Sequence, residues 1–202
     1  MKLYYSPGAC SLGPHIALRE AALKFDLEKV DLKAKRTESG ADYSKINPKG
    51  YVPALQLDDG ELLTEAAVVL QYIADRKPAS GLAPAPATIE RYRLMEWLNF
   101  ISSEIHKGFG PLWNPQMPEE AKRLAVERLG TRFDYLAAAL SGKTYLTGSQ
   151  FTVADAYLFT VVNWTSVHHI DLARWPALKD YMARVARRPA VSEALQVEGL
   201  TK

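Results

Sequence analysis

Cysteine is almost missing from this chain: one residue in 202, Cys10. A single thiol excludes an intramolecular disulfide and any zinc site built on several cysteines, which suits a reducing, cytoplasmic setting. Long apolar runs are missing too. No window approaches the roughly 18 to 20 apolar residues of a membrane span, and the opening MKLYYSPGAC has no apolar stretch of the length a secretory leader needs. Neither sign of charge is in excess: 25 Lys and Arg face 23 Asp and Glu, for a net charge of +2. With no basic arm or stripe, nucleic acid is not an expected partner. Internal repeats and low-complexity segments are also lacking.

What is present is an apolar content of 48% in a length that suits one large or two small domains. Residues 2 to 5, KLYY, followed by Ser-Pro-Gly, read as a short strand ending in a turn, and residues 11 to 23 have helical spacing. FDLEKVDL suits a second strand, so strand-helix-strand with a right-handed parallel connection is expected. Residues 33 to 51 are polar and turn-rich. Asp58-Asp59-Gly60 between two short alternating runs signals a hairpin, and Thr64 is placed to cap a helix to about Arg76 with Ala66, Val69, Leu70 and Ile73 as its apolar stripe.

KPASGLAPAPA, residues 77 to 87, has three prolines and one glycine without periodicity, and the sequence changes character there. Beyond it the pattern is helical: 88 to 108, 118 to 141, 152 to 168, 175 to 188, and a short helix from 190. Thr152 and Asp155 have capping-box spacing, most simply a structural feature. The expected organisation is βαβ-ββα over residues 1 to 80, a linker over 81 to 87, and an all-helical part over 88 to 202.

Four groups of residues could carry chemistry. Cys10 sits where a strand gives way to a helix, so it is either an inert turn residue or a thiol whose pKa the unpaired helix N–H groups lower toward about 7. Gly13 stands where a dithiol motif would have its second cysteine. Pro53 is either an ordinary edge-strand proline or the second residue of a cis peptide that turns Val52 outward toward an extended peptide. Glu65 opens a helix: it either complements the dipole, or accepts an ammonium beside free N–H groups that hold a carboxylate. Asn99, Ser103 and His106, spaced i, i+4, i+7, share one helical face, as a solvated stripe or as donors toward an anion. His168-His169 reads as a solvated pair, and His15 as part of the first helix.

Together, SPGACSLGPHIALRE, NPKGYVPAL, LLTEA, NFISSEIHKGF and FTVADAYLF resemble, in order and at family spacing, the soluble glutathione transferases and within them the bacterial beta class. The resemblance runs from Met1 to the EGL at 198 to 200, and it rests on the motifs jointly. It implies an α/β thioredoxin-like N-terminal domain with a mixed four-stranded sheet, an all-α C-terminal domain shaping an electrophile pocket, glutathione as co-substrate, no metal, and a homodimer. It also implies that Cys10 contacts the glutathione sulfur or forms a mixed disulfide with it, and that Val52, before a cis Pro53, pairs with the peptide backbone.

On the same resemblance, Glu65 and Ala66 receive the γ-glutamyl end, and Lys35 and His106 lie near the remaining polar groups. Asn99 and Ser103 would reach the γ-glutamyl end across the dimer interface. Ala66 departs from the serine common in the family, so one hydroxyl bond is lost while the backbone N–H remains. The expected activity is attack of the glutathione thiolate on small hydrophobic electrophiles, with Tyr4, Phe109, Trp113 and Trp164 as candidates for their pocket. The alternatives are a thiol-disulfide reductase or reductive dehalogenase working through a Cys10-glutathione mixed disulfide, and a non-enzymatic carrier of apolar ligands.

Overall fold

The structure, a computed structural model, describes residues 1–201. Its first half is β1 (Lys2–Tyr5), α1 (Leu12–Glu20), β2 (Asp26–Asp31), β3 (Arg36–Thr37), α2 (Tyr43–Ile46), β4 (Ala54–Gln56), β5 (Leu62–Thr64) and α3 (Ala66–Arg76). The sheet order is β3-β2-β1-β4-β5, with β1 and β2 parallel and every other pair antiparallel. The sheet has five strands rather than the expected four. The extra one, β3, pairs Thr37 with Val30 and Arg36 with Asp31, and two residues are too few to leave an alternation in the sequence.

Alternation along β1 divides the core, as the period of two requires. Leu3 and Tyr5 join Leu55 and the apolar faces of α1 and α3, whereas Tyr4 turns to the other side, onto Val30, Tyr43, Val52 and Ala54. The expected stripe of α3, Ala66, Val69, Leu70 and Ile73, is buried throughout. Thr64 does not cap this helix. It belongs to β5, and the cap position falls to Glu65 at φ +69°.

After a short 3₁₀ turn at Pro78–Ser80, the chain is helical: α4 (Ile89–Phe100), α5 (Gly110–Trp113), α6 (Glu119–Leu140), α7 (Val153–Val162), α8 (Trp164–Val167), α9 (Pro176–Ala186) and α10 (Pro189–Val197). The helix expected over 152 to 168 is divided at Asn163. All ten residues of α7 are buried, so it is the axis around which the others pack. Asp155 ties its start down, accepting from the N–H groups of Thr152 and Leu146, both at 2.9 Å, and from the Tyr181 hydroxyl at 3.1 Å. The two halves meet where α1 lies on α7. A Cβ on Gly13 would stand 3.5 Å from the Tyr157 Cα, so little beyond a methyl fits at that position. Among the described residues, no helix is long and apolar enough to cross a membrane.

Candidate functional site

The loop from β1 into α1 carries Cys10, and it is held from the far end of the chain. Gly8, at φ +72°, donates its N–H to Glu198 Oε2 at 2.9 Å, and its carbonyl accepts from Trp164 Nε1 at 2.7 Å. The other Glu198 oxygen accepts from His15 Nδ1 at 2.8 Å, with both side chains fully buried, and His15 Nε2 accepts from Arg19 at 2.9 Å. Both nitrogens of His15 are therefore engaged, which gives this histidine a structural duty beyond its place in α1.

Cys10 Sγ points across the loop to the carbonyl of Val52, 3.1 Å away. Of the two readings of Cys10, the lowered thiol pKa is not the one found: burial pushes Cys10 up to about 12. The backbone N–H groups of Cys10 and Ser11 and the charge of Lys107 pull the other way, without prevailing. The reason is positional. Cys10 precedes the N-cap Ser11 and is enclosed by apolar neighbours, so desolvation outweighs the helix-end field.

Across from Cys10, the peptide between Val52 and Pro53 is cis. The Val52 carbonyl is taken by the thiol, while its N–H has no hydrogen-bond partner among the described residues. Next to it, Lys49 Nζ bonds Glu65 Oε1 at 2.7 Å and Thr64 Oγ1 at 3.0 Å. A positive φ at a non-glycine residue is sparsely populated and tends to mark functional sites. At Glu65 it turns the chain sharply from β5 into α3. The first N–H groups of α3, those of Ala66 and Ala67, lack intrahelical partners.

The third wall is the continuation of α4. Residues Ile101–His106 form a π turn, followed by a 3₁₀ turn at Lys107–Phe109. The wider π turn shifts the register, so the expected common face of Asn99, Ser103 and His106 does not form. Ser102, not Ser103, shares the inner face with His106, while Asn99 and Ser103 are exposed and Ser103 bonds back to the Asn99 carbonyl at 3.0 Å. π turns inside helices recur at functional sites. His106 Nδ1 lies 2.7 Å from the Tyr157 hydroxyl, and its ring packs against Trp164 at 5.0 Å. Burial, then Lys107, lower the His106 pKa to about 4, with Glu65 opposing. It is therefore neutral near pH 7 and does not change charge there.

These walls enclose a cavity of about 510 Å³ that Cys10, Val52, Pro53, Glu65, Ala66 and His106 all line. Three expected residues lie outside it. Asn99 and Ser103 face away for the reason just given, and Lys35, at φ +54°, bonds the Gly50 carbonyl at 2.8 Å behind Tyr51. Sequence reading missed Lys49, Ser102, Lys107 and Tyr157, which do line it. None of them left a distinguishing signal: even Tyr157 sits in the apolar run AYLFTVV, where Thr160 is polar-tipped too. Of the electrophile-pocket candidates, Tyr4 is buried on the far side of the sheet and Phe109 is wholly enclosed. Trp113 is exposed, and Trp164 backs His106.

Two family models match the chain: the glutathione S-transferase N-terminal domain over residues 8–76 and the C-terminal domain over residues 100–189. Glutathione S-transferase GstA of Escherichia coli O157:H7 is 48% identical over 200 residues, covering 99% of this chain and all of the relative. The solved structure of a sphingomonad glutathione S-transferase complexed with glutathione is 50% identical, with a TM-score of 0.96 and complete coverage of both chains. The bacterial beta class enzyme of Sphingomonas chungbukensis is 49% identical, also with a TM-score of 0.96 and complete coverage of both. The chain belongs to the glutathione S-transferase family and is closely related to its bacterial beta class.

Proposed function

We propose that this glutathione transferase holds glutathione in the cavity at Cys10 and directs its thiolate at small hydrophobic electrophiles. The observation that carries the reading is the convergence of Cys10, Val52, Glu65, Ala66 and His106, from four separate segments, on that one cavity. A γ-glutamyl carboxylate would be met by the N–H groups of Ala66 and Ala67, and its ammonium by Glu65. The free N–H of Val52 would take the cysteinyl carbonyl, which sets the sulfur between Cys10 and His106. Lys49 and Lys107 supply positive charge at the cavity.

With its proton retained, Cys10 serves as a donor: it can turn its S–H from the Val52 carbonyl to the glutathione sulfur. Holding that sulfur as thiolate next to an electrophile then supplies much of the rate. Such a thiol is a poor attacking group, so conjugation is favoured over exchange through a Cys10-glutathione mixed disulfide.

Residues 1 to 80 are read as the glutathione-binding domain, 81 to 87 as the linker and 88 to 202 as the domain shaping the electrophile site. A homodimer is part of the proposal. Ile89, Tyr92 and Met95 on α4 and Val68 on α3 expose apolar side chains, and Asn99 and Ser103 continue the α4 face, where they would serve the site of a second copy.

The test is Cys10→Ala, assayed for conjugation of a chloronitrobenzene and for reduction of glutathione mixed disulfides. Conjugation that persists at a reduced rate with a raised pKa of bound glutathione supports the transferase reading, whereas unchanged conjugation together with loss of mixed-disulfide reduction assigns Cys10 to the exchange reaction. Saturable glutathione binding by the unaltered protein, with no turnover on electrophiles, disulfides or peroxides, would leave only the carrier reading.

A further inference from the structure

We propose that Tyr157 is a positioning residue: its hydroxyl donates to His106 Nδ1 and so fixes the tautomer in which His106 Nε2–H is aimed, as a donor, at a sulfur anion in the cavity. The proposal rests on the glutathione reading of the site.

The phenol oxygen lies 2.7 Å from His106 Nδ1. Tyr157 is 1% exposed, its hydroxyl lies within hydrogen-bond distance of His106 Nδ1, and the Ser102 hydroxyl is its other neighbour, placed to donate to the phenol oxygen. With Ser102 donating to the phenol oxygen, the phenol's own proton is left for Nδ1, in keeping with the rule that buried hydroxyls pair their protons. Burial also raises the Tyr157 pKa above its ordinary value, so the phenol keeps that proton. With Nδ1 accepting, a neutral imidazole must carry its proton on Nε2. His106 Nε2 has no partner among the described residues and is not sealed from solvent, and the residue lines the cavity.

The ring has little freedom to turn the other nitrogen inward. Its centroid lies 5.0 Å from that of Trp164 at 71° and 5.9 Å from that of Tyr157 at 89°. The π turn over Ile101–His106 supplies the approach, because it rotates His106 inward toward α7, where Tyr157 lies. The same arrangement recurs at metal-bound histidines, where the partner of the far nitrogen sets which nitrogen faces the reacting species. Here the near nitrogen would face a thiolate, and a neutral donor stabilises that anion without having to lose or gain a proton.

The experiment compares the unaltered protein with Tyr157→Phe, which keeps the ring and its packing. Nitrogen-15 NMR of the histidine side chains reads the tautomer in the glutathione-free protein, and ultraviolet thiolate absorbance reads the pKa of bound glutathione. The expected result is an Nε2–H tautomer at His106 that becomes mixed in Tyr157→Phe. The bound thiol pKa should rise by about one unit, and kcat should fall about tenfold with little change in KM for glutathione. In a His106→Gln background, Tyr157→Phe should add nothing further.

An unchanged tautomer in Tyr157→Phe, an Nδ1–H tautomer in the unaltered protein, or a full additive loss in the double variant would overturn the proposal. Because the tautomer is read without ligand, failure to bind glutathione at all would sink the functional reading while the tautomer still decides the role of Tyr157.

Discussion

Cys10 Sγ lies 3.1 Å from the carbonyl oxygen of Val52 and donates to it across the cavity floor. The thiol is thus occupied by a neutral acceptor from the segment that would bind the peptide backbone of glutathione. An S–H that is both enclosed and employed as a donor has little reason to ionise.

Alkylation of Cys10 by iodoacetamide in glutathione-free protein should rise about tenfold per pH unit from about pH 6 to about pH 9, with no plateau, because only the thiolate reacts. Mass spectrometry of the Cys10 peptide measures it. A plateau near neutral pH would show an activated cysteine and contradict the raised pKa of about 12.

Glu65→Gln should weaken glutathione binding about tenfold, the loss of one charge-assisted contact. Its pair with Lys49 is largely exposed on both sides, so little stability is at stake. Calorimetric titration and a thermal melt separate the two. Unchanged affinity would remove Glu65 from the site.

His106 contributes a pH-dependent stability whose sign follows from its depressed pKa. Between the folded value of about 4 and the ordinary histidine value of 6.5, the unfolded chain binds more protons, so stability falls as pH drops through this window. The loss reaches about 3 kcal/mol when the window is crossed. Urea unfolding at about pH 7 and about pH 4 should show this loss in the unaltered protein and a smaller one in His106→Gln. Equal losses would refute the assignment.

Asn99→Ala should raise KM for glutathione several-fold even though Asn99 lies outside the cavity of its own chain. Activity per subunit should also fall on dilution below the dimer dissociation constant. A variant kinetically identical to the unaltered protein, with activity independent of dilution, would argue that each chain works alone.

Asp155→Ala should cost about 3 to 5 kcal/mol, since it orphans the Thr152 and Leu146 N–H groups and the Thr152 hydroxyl inside the core. Denaturant unfolding checks it. A loss below about 1 kcal/mol would mean that water replaces the carboxylate.

Much of this architecture is legible from periodicity and punctuation. The stripe of α3, the hairpin around Asp58-Asp59-Gly60 and the helices after Pro86 each occupy a stretch long enough to show its pattern. Cys10, Pro53 and Glu65, which line one cavity, are legible as candidates because each sits at a junction between elements, where backbone groups are unpaired. The π turn is not legible: ISSEIH contains neither proline nor glycine, and one residue added to a helical turn leaves the composition of both faces plausible. That single slip exchanged Ser103 for Ser102. Lys49 was hidden because its role depends on where the sheet delivers Glu65, and Tyr157 because a helix buried at every position offers no contrast between faces.

Gly8 and Glu198 lie 190 positions apart, and their contact has a consequence for synthesis. A ribosome makes the Cys10 loop long before the carboxylate that braces it. Through most of translation the early strands can pair while this loop lacks its clamp, so the thiol remains in an unfinished setting. The cavity takes its final form only when α10 reaches α1. An incomplete product, released before that helix, would carry every cavity-lining residue and still lack a site.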